Sequence, residues 1–226
     1  MATPQIAGLA ASDAWSPAPA SRGEAAVADL PAIGPRVTYM RDAEIFGEGE
    51  AAEHIYQVQE GVVRTCRFLG DGRRQIEEFH LAGDYFGLEL GAEHSCTAEA
   101  VGPATVILLR RSSLAELAAR DVAVSARLLS LTMSGLARSQ KHCVMLGRKG
   151  ACERVAAFLI DFARRCGAAN LVDLPMSRQE IGDYLGLTIE TVSRTFTQLE
   201  GERLINLAER RRVSLRDRER LLDYCA

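Results

Sequence analysis

Long apolar runs are missing from this chain of 226 residues. A membrane-spanning helix needs roughly 18 consecutive apolar residues, and a secretory leader needs a basic start followed by an apolar block. The sequence contains neither pattern. We therefore expect a cytoplasmic protein that has no membrane partner.

Paired cysteines are also missing. The six cysteines are spread along the chain without a C-x-x-C pair, at Cys66, Cys96, Cys143, Cys152, Cys166 and Cys225. Disulfide frameworks and structural zinc sites depend on close or regular cysteine spacing. The sequence therefore predicts reduced thiols and no metal site.

An excess of positive charge is the third missing feature. The formal net charge is −3, whereas general polyanion binders are usually basic. Any affinity for DNA must therefore come from particular residues rather than from overall charge. No nucleophile-base-orienter set and no phosphate-binding glycine loop is present either, so we expect no enzymatic activity.

The first two segments of the chain differ in composition. Residues 1–29 are rich in alanine, serine and proline, which predicts a poorly ordered tail. Residues 30–120 contain short apolar or alternating stretches separated by turn signals, such as Gly47-Glu48-Gly49 and Gly70-Asp71-Gly72. Strands of this length and spacing predict an all-β barrel or sandwich, and Asp71-Gly72 predicts a hairpin turn.

Residues 121–148 lack proline and show helical spacing. Asp121 can cap the start of a long helix. Positions three and four residues apart form a seam with a small residue at its centre, which indicates packing against an identical helix in a homodimer. The seam residues are Val124, Leu128, Leu131, Gly135, Arg138, His142 and Met145. The alternative is a helix that packs on its own domain.

Residues 149–226 carry the signals of a helix-turn-helix. Ser177 and Glu180 fit a capping box at the start of one helix, and Gly186 can end that helix. Thr188 can cap a second helix that runs to about Glu200, so two helices meet across a short turn.

The second helix carries polar residues suited to reading DNA. Arg194 can donate to guanine, Glu190 can accept from cytosine N4, and Ser193 can contact thymine or a phosphate. The alternative is a solvated Glu–Arg pair worth only about 0.2–0.5 kcal/mol.

Further DNA contacts are predicted around this helix. Thr188 and Thr191 lie in its first turn, and Ser177 and Arg178 start the preceding helix. Downstream, two short apolar stretches bracket Glu209-Arg210-Arg211-Arg212, which predicts a two-stranded wing whose arginines, Arg211 among them, hold phosphate. The alternative for this basic tip is a solvated turn.

These residues resemble the CRP/FNR superfamily of bacterial regulators, and within it the FNR/FixK branch. The resemblance is most specific over Ile181–Arg194 and extends to Ile45–Glu50, Asp71–Ile76 and Gly83–Gly87. It implies an α+β fold with three parts. These are an N-terminal double-stranded β-helix, or jelly roll, like a cyclic-nucleotide-binding domain, then a long dimerisation helix, then a C-terminal winged helix-turn-helix.

The branch also implies a function. Glu190, Ser193 and Arg194 match its Glu-x-x-Ser-Arg pattern, which implies a palindromic operator resembling TTGA-N6-TCAA, with one half-site per monomer. The resemblance further implies activation of microaerobic, denitrification or nitrogen-fixation genes through contact with RNA polymerase, for which the loop Leu69–Arg74 is a candidate.

Two departures from the superfamily bear on ligands. The stretch Phe86–Ala100 contains no arginine to hold a cyclic phosphate, and the first cysteine is Cys66, too late for an N-terminal iron-sulfur cluster. We therefore expect no cofactor. A ligand-dependent sensor of the same superfamily remains the alternative, including a haem protein that uses His54, His80, His94 or His142.

Overall fold

A computed structural model describes residue 30, residues 34–208 and residues 211–224. The predicted tail, 1–29, and the wing residues Glu209 and Arg210 lie outside this range. Within it, no helix has the length and apolar character required to cross a bilayer.

The N-terminal part is a β-roll of two antiparallel sheets. Within the described residues, one sheet has the strand order β1-β8-β3-β6 and the other β2-β7-β4-β5. The strands are β1 Arg36–Tyr39, β2 Glu44–Phe46, β3 His54–Glu60, β4 Val63–Phe68, β5 Arg74–His80, β6 Tyr85–Phe86, β7 Thr97–Ala100 and β8 Ala104–Arg110. This confirms the predicted fold class for this part of the chain.

The hairpin between β4 and β5 is the turn predicted at Asp71-Gly72. Gly72 has a φ of 82°, and the Leu69 amide donates to the Arg73 carbonyl at 2.8 Å. By contrast, β6, β7 and the helix α1, Arg111–Arg120, are not predicted from the sequence. Strand β7 is hard to recognise because its small residues, Ala98 and Ala100, have low β propensity but fit a fully buried position.

Helix α2, Val122–Arg148, joins the two parts of the protein. It is the predicted long helix, and the Asp121 carboxylate caps it by accepting the Ala123 amide at 2.8 Å. One face packs on this chain: Leu128 and Leu131 lie against the cluster that includes Leu109 and Leu114.

The seven residues predicted as the dimer seam all lie on this inner face. Each is buried or half-buried within the single chain: Val124, Leu128, Leu131, Gly135, Arg138, His142 and Met145. Arg138 pairs with Glu78 of β5, and the His142 ring stacks on Tyr184 at 4.2 Å. Their role in dimerisation stays a prediction, because helical spacing identifies an apolar face without showing whether this chain, a partner or both cover it.

A second stripe of α2 remains uncovered, and we call it the exposed stripe. Its members are separated alternately by four and three residues, and all are exposed: Val122, Ala126, Leu129, Met133, Leu136, Gln140, Cys143 and Gly147. Leu129 and Met133 are each 61% exposed. This spacing is the one that produces a coiled-coil seam.

The C-terminal part is a winged helix-turn-helix. Its elements are α3 Ala151–Arg165, β9 Leu171–Asp173, α4 Arg178–Leu185, α5 Ile189–Gly201, β10 Ile205–Leu207, β11 Arg212–Leu215 and α6 Arg218–Asp223. The wing sheet has the order β10-β11-β9, so the predicted pair of strands gains a third. Strand β9 has no local signal of its own, because its partner β11 lies far along the chain: Asp173 pairs with Arg212.

The two parts share one continuous core. The Phe79 ring of β5 lies 6.3 Å from Phe158 of α3 and 5.3 Å from Tyr184 of α4. At the edge of this contact, Arg165 donates to the Asp84 carboxylate at 2.7 Å and to the Phe79 carbonyl at 2.6 Å. The C-terminal part is therefore held against the β-roll.

We expect Asp84→Asn to lower the free energy of unfolding by about 1–3 kcal/mol at pH 7, since it removes a charged hydrogen-bond partner of Arg165. Burial alone would raise the pKa of Asp84, but Arg165 and the Leu81 amide outweigh it and hold the pKa below its usual value. Stability from this carboxylate is therefore present above its unfolded pKa and lost as the pH falls through the folded pKa.

Urea unfolding at pH 7 and below about pH 4, near the ordinary aspartate pKa, measures this effect. The difference between wild type and Asp84→Asn must shrink at the lower pH. The matched control is Asp223→Asn, at an exposed position at the end of α6. If the difference in free energy of unfolding between wild type and Asp84→Asn grows on acidification, the stabilising role of the ionised Asp84 is contradicted.

Candidate DNA-binding site

The first helix of the motif, α4, begins with the predicted capping box. The Ser177 hydroxyl accepts the Glu180 amide at 3.2 Å, and the Glu180 carboxylate accepts the Ser177 amide at 2.6 Å. The helix ends at Gly186, whose φ of 62° is left-handed. Both local predictions are confirmed, and they set the entry and exit of the turn.

The close approach of the two helices depends on Gly182. A Cβ atom at this position would lie 2.6 Å from the Leu187 carbonyl oxygen. The Leu187 amide also donates to the Gly182 carbonyl at 3.0 Å. No local signal in the sequence marks Gly182 as the point of close approach, although it lies within the motif.

The second helix, α5, presents a buried face and a polar face. Thr188 caps it by accepting the Thr191 amide at 3.2 Å. The buried face holds Val192, Thr195, Phe196 and Leu199. The polar side is exposed at Glu190, Ser193, Arg194 and Thr197, while Thr191 is half-buried. This arrangement is what a recognition helix needs: one face for packing and one for the groove.

Glu190 is held in its charged form. Hydrogen bonds from its own amide and from the Thr188 hydroxyl lower its pKa, and the charge of Arg194 acts in the same direction. An ionised carboxylate is a hydrogen-bond acceptor, as contact with cytosine N4 requires. Glu190 and Arg194 therefore offer an acceptor and a donor side by side.

Arg178 lies at the start of α4 and is stacked on the recognition helix. Its guanidinium carbon is 3.3 Å from the centroid of the Phe196 ring. Burial lowers the pKa of Arg178 to about 10, so the group keeps its charge at neutral pH. The stack restricts the side chain next to Ser177, and both residues remain predicted DNA contacts.

The wing tip is described only in part. Arg211 is exposed, and its carbonyl accepts the Leu174 amide at 2.8 Å. Arg212, also counted with the basic tip, donates to Asp173 at 2.8 Å within the sheet. Arg211 therefore has its side chain in solvent, and its phosphate contact stays a prediction.

Aromatic side chains fill the interior of the β-roll. The His94 ring stacks on Phe46 with 3.6 Å between centroids, and Tyr56 stacks on Phe86 at 5.1 Å. The Glu89 carboxylate lies 2.6 Å from His94 Nδ1. Phe86, Glu89 and His94 belong to the stretch Phe86–Ala100, which contains no arginine.

Two of the other three histidines border the same aromatic cluster: the His80 ring stacks on Phe86 with 5.1 Å between centroids, and the His54 ring lies 6.2 Å from Tyr56. His80 is buried and its Nε2 lies 3.1 Å from the Thr65 hydroxyl. His142 stacks on Tyr184 at the domain contact, and His54 is half-buried in β3. The structure does not bring the four rings together at one point within the described residues, where no group of three or more metal-binding side chains is found.

A β-roll, a long helix with an uncovered stripe and a winged helix-turn-helix together define a class of DNA-binding transcription regulators. Two family models match the two ends: the cyclic nucleotide-binding domain over residues 36–121 and the Crp-like helix-turn-helix domain over residues 153–224. The chain belongs to the CRP/FNR family of transcription regulators, in its FNR/FixK branch.

Several relatives are named for a role in nitrogen fixation. The chain is 49% identical over 195 residues to the nitrogen fixation regulation protein FixK of Azorhizobium caulinodans, covering 84% of this chain and 79% of that one. It is 44% identical to FixK of Rhizobium meliloti, with 86% and 90% covered. The solved structure of FixK2 from Bradyrhizobium japonicum superposes with a TM-score of 0.83 at 47% identity, covering 86% of this chain and 98% of that one.

We expect Gly182→Ala to destabilise the protein by about 1–3 kcal/mol, since the added methyl group meets a backbone oxygen that cannot easily move. Urea unfolding of the purified variant measures the loss. The matched control is Gly201→Ala, where an added Cβ meets no atom within 4 Å; there the change should be neutral or stabilising by up to about 1 kcal/mol. Equal behaviour of the two variants contradicts the assigned role of Gly182.

Proposed function

We propose that this protein is a cytoplasmic transcriptional activator that binds, as a homodimer, a palindrome resembling TTGA-N6-TCAA and needs no effector. Its target genes would serve nitrogen fixation, the role in the names of the FixK relatives, or microaerobic metabolism, which the resemblance to the branch implies. The single observation that carries the proposal is the exposed polar face of α5, where Glu190, Ser193 and Arg194 stand on a rigid, capped helix.

The chemistry of this face suits the TTGA half-site. Arg194 supplies donors for guanine O6 and N7, and the ionised Glu190 supplies an acceptor for the N4 amino group of cytosine on the other strand. Ser193 is one residue away and can contact thymine or a phosphate. A pair of opposite charges one helical turn apart can therefore read one G·C pair or two neighbouring pairs.

The exposed stripe supports the homodimer. Two copies that pack along Leu129, Met133 and Leu136 would bury side chains that the single chain leaves in solvent, which is favourable at roughly 25 cal/mol per Å² of apolar surface. A dimer of this kind has two-fold symmetry, and two-fold symmetry matches a palindromic operator.

The filled β-roll supports independence from an effector. Glu89 lies against His94 and Arg111, and Arg111 also donates to the Gly87 carbonyl at 2.8 Å. A nucleotide would have to displace these contacts. Phe86–Ala100 contains no arginine, and Arg111, which contacts this stretch from outside it, is already engaged by Glu89 and the carbonyl oxygens of Gly87 and Gly91. Regulation would then act through the amount of protein made.

The tip of the β4–β5 hairpin supports contact with RNA polymerase. Phe68 is 56% and Leu69 is 43% exposed beside charged neighbours such as Arg73. Exposed apolar side chains rimmed by polar residues are typical of protein-binding surfaces. This loop includes the Leu69–Arg74 segment that the resemblance points to.

The proposal is tested by titrating purified protein against a duplex with TTGA-N6-TCAA and a scrambled control, at fixed salt and without added ligand. Tight and selective binding is expected. Equally weak binding to both duplexes contradicts effector independence and directs attention to the β-roll.

We expect Arg194→Ala and Glu190→Ala each to reduce discrimination at the G·C pair by about 1–3 kcal/mol, the usual value of a good base contact. Binding titrations on the palindrome and on a duplex with that pair changed give the difference. Arg164→Ala is the charge-matched control, on an exposed position of α3 outside the motif. Equal losses on specific and random DNA would show that these residues do not read bases.

We expect Leu136→Glu to convert the dimer into monomers and to abolish palindrome binding, because it places a charge in an apolar seam. Sedimentation velocity measures the association state, and Leu90→Glu, at a fully exposed position of the β-roll, is the control. A dimer unaffected by Leu136→Glu contradicts the exposed stripe as the interface.

Cys143 offers an independent test, since it lies on the same stripe and is exposed. Mild oxidation with copper phenanthroline should link two wild-type chains through their Cys143 thiols. The link should be missing in Cys143→Ser. Cross-linking that persists in Cys143→Ser would show that the link does not form between Cys143 thiols, and would contradict close packing of the two exposed stripes.

A further inference from the structure

A buried ion-pair network lies between the β-roll and the first helix of the motif. At its centre Arg64 of β4 donates to Glu180 of α4 at 2.5 Å. The two side chains are only 3% and 4% exposed. Arg64 also reaches Glu99 at 2.6 Å and Asp42 at 3.0 Å within the β-roll.

A second arm runs parallel to the first. Arg74 of β5 donates through Nε and a terminal nitrogen to Asp183 of α4, both at 3.0 Å. Gln75 donates to the Tyr184 carbonyl at 3.3 Å. Glu99 accepts from Arg64 and lies 3.5 Å from Arg74, so the two arms share one carboxylate.

Glu180 serves two structures at once. One carboxylate oxygen accepts the Ser177 amide at 2.6 Å and so caps α4, while the other accepts Arg64. The start of the helix-turn-helix is thus attached directly to the sheet. Because α5 packs on α4, a displacement of α4 would also move the recognition helix.

We propose that Arg64, through Glu180, positions the recognition helix relative to the dimer axis and thereby sets the spacing between half-sites that the dimer accepts. Arg64 is a positioning residue and does not touch DNA. Buried ion pairs contribute little net stability, but they restrict geometry because any other arrangement leaves a charge unpaired. This inference rests on the proposed binding to a palindrome.

Half-site spacing is a sensitive measure of this position. Adding one base pair to the spacer moves a half-site by about 3.4 Å along the duplex and rotates it by about 34°, since a turn contains about 10–10.5 base pairs. If the recognition helix is held firmly, the dimer should bind an operator with a changed spacer more weakly. If the helix is held loosely, it can shift and the affinity should change little.

The experiment compares dissociation constants for operators with spacers of five, six and seven base pairs, at one salt concentration. Wild type should prefer the six-pair spacer by at least tenfold. Arg64→Met should lower this preference to less than threefold. The matched control is Arg67→Met, which removes an arginine of the same strand whose partner, Glu77, belongs to the β-roll; it should keep the wild-type preference.

A double variant separates positioning from mere stability. Arg64→Met leaves the buried charge of Glu180 with only the longer contact to Arg41, at 3.5 Å. Adding Glu180→Gln removes that charge and preserves the capping box. The double variant should regain stability to urea but not spacer preference. If preference returns together with stability, the positioning role is overturned.

Asp183→Asn keeps the test available if Arg64→Met does not fold, because Asp183 lies at the periphery of the network. It should reduce the spacer preference at least threefold. If a folded Arg64→Met or Asp183→Asn protein keeps the wild-type preference for the six-pair spacer, the positioning role is overturned and the proposed function is not. A wild-type protein that does not distinguish the palindrome from scrambled DNA instead overturns the proposed function, and with it the inference.

Discussion

Helix α2 has two apolar faces, and only one of them can be covered by its own chain. The inner face packs against the β-roll above and against the DNA-binding part below, through Val124 at one end and Met145 at the other. The same helix thus orders both parts. In the proposed homodimer its outer face packs against a second copy, so that each chain would be half of a symmetric assembly.

The two parts of the chain are not independent domains on a flexible linker. Phe79 of the β-roll packs with Phe158 and Tyr184 of the DNA-binding part, and charged pairs surround this contact. Apolar packing provides most of the stabilisation, while the ion pairs restrict the relative orientation. This arrangement suits the proposed independence from an effector, since no ligand binding is needed to bring the parts together.

Local signals in the sequence were sufficient for the DNA-binding motif. Cap chemistry at Ser177 and Thr188 and the left-handed Gly186 act within a few residues, so they can be recognised without knowledge of the rest of the chain. The strands of the β-roll were located in large part by their turns for the same reason. The resemblance to a known superfamily then supplied the topology that local signals cannot specify.

Non-local features were not predictable. Arg64 and Glu180 are 116 positions apart. The sequence next to each residue gives no sign that it has a charged partner. Strand β9 needs β11 to form, and α2 carries two apolar stripes with the same helical period. Which stripe faces inward depends on where β8 and α1 lie, and that is a property of the whole fold.

In the C-terminal half of α2 the exposed stripe contains one amide side chain, Gln140. In a symmetric pair of helices two such amides meet and can hydrogen-bond with each other. A related chain with an apolar residue at this point would leave the amide unpaired, at a cost of about 1–3 kcal/mol. Cells often contain several regulators of one family, and a single polar residue of this kind favours self-pairing over mixed dimers.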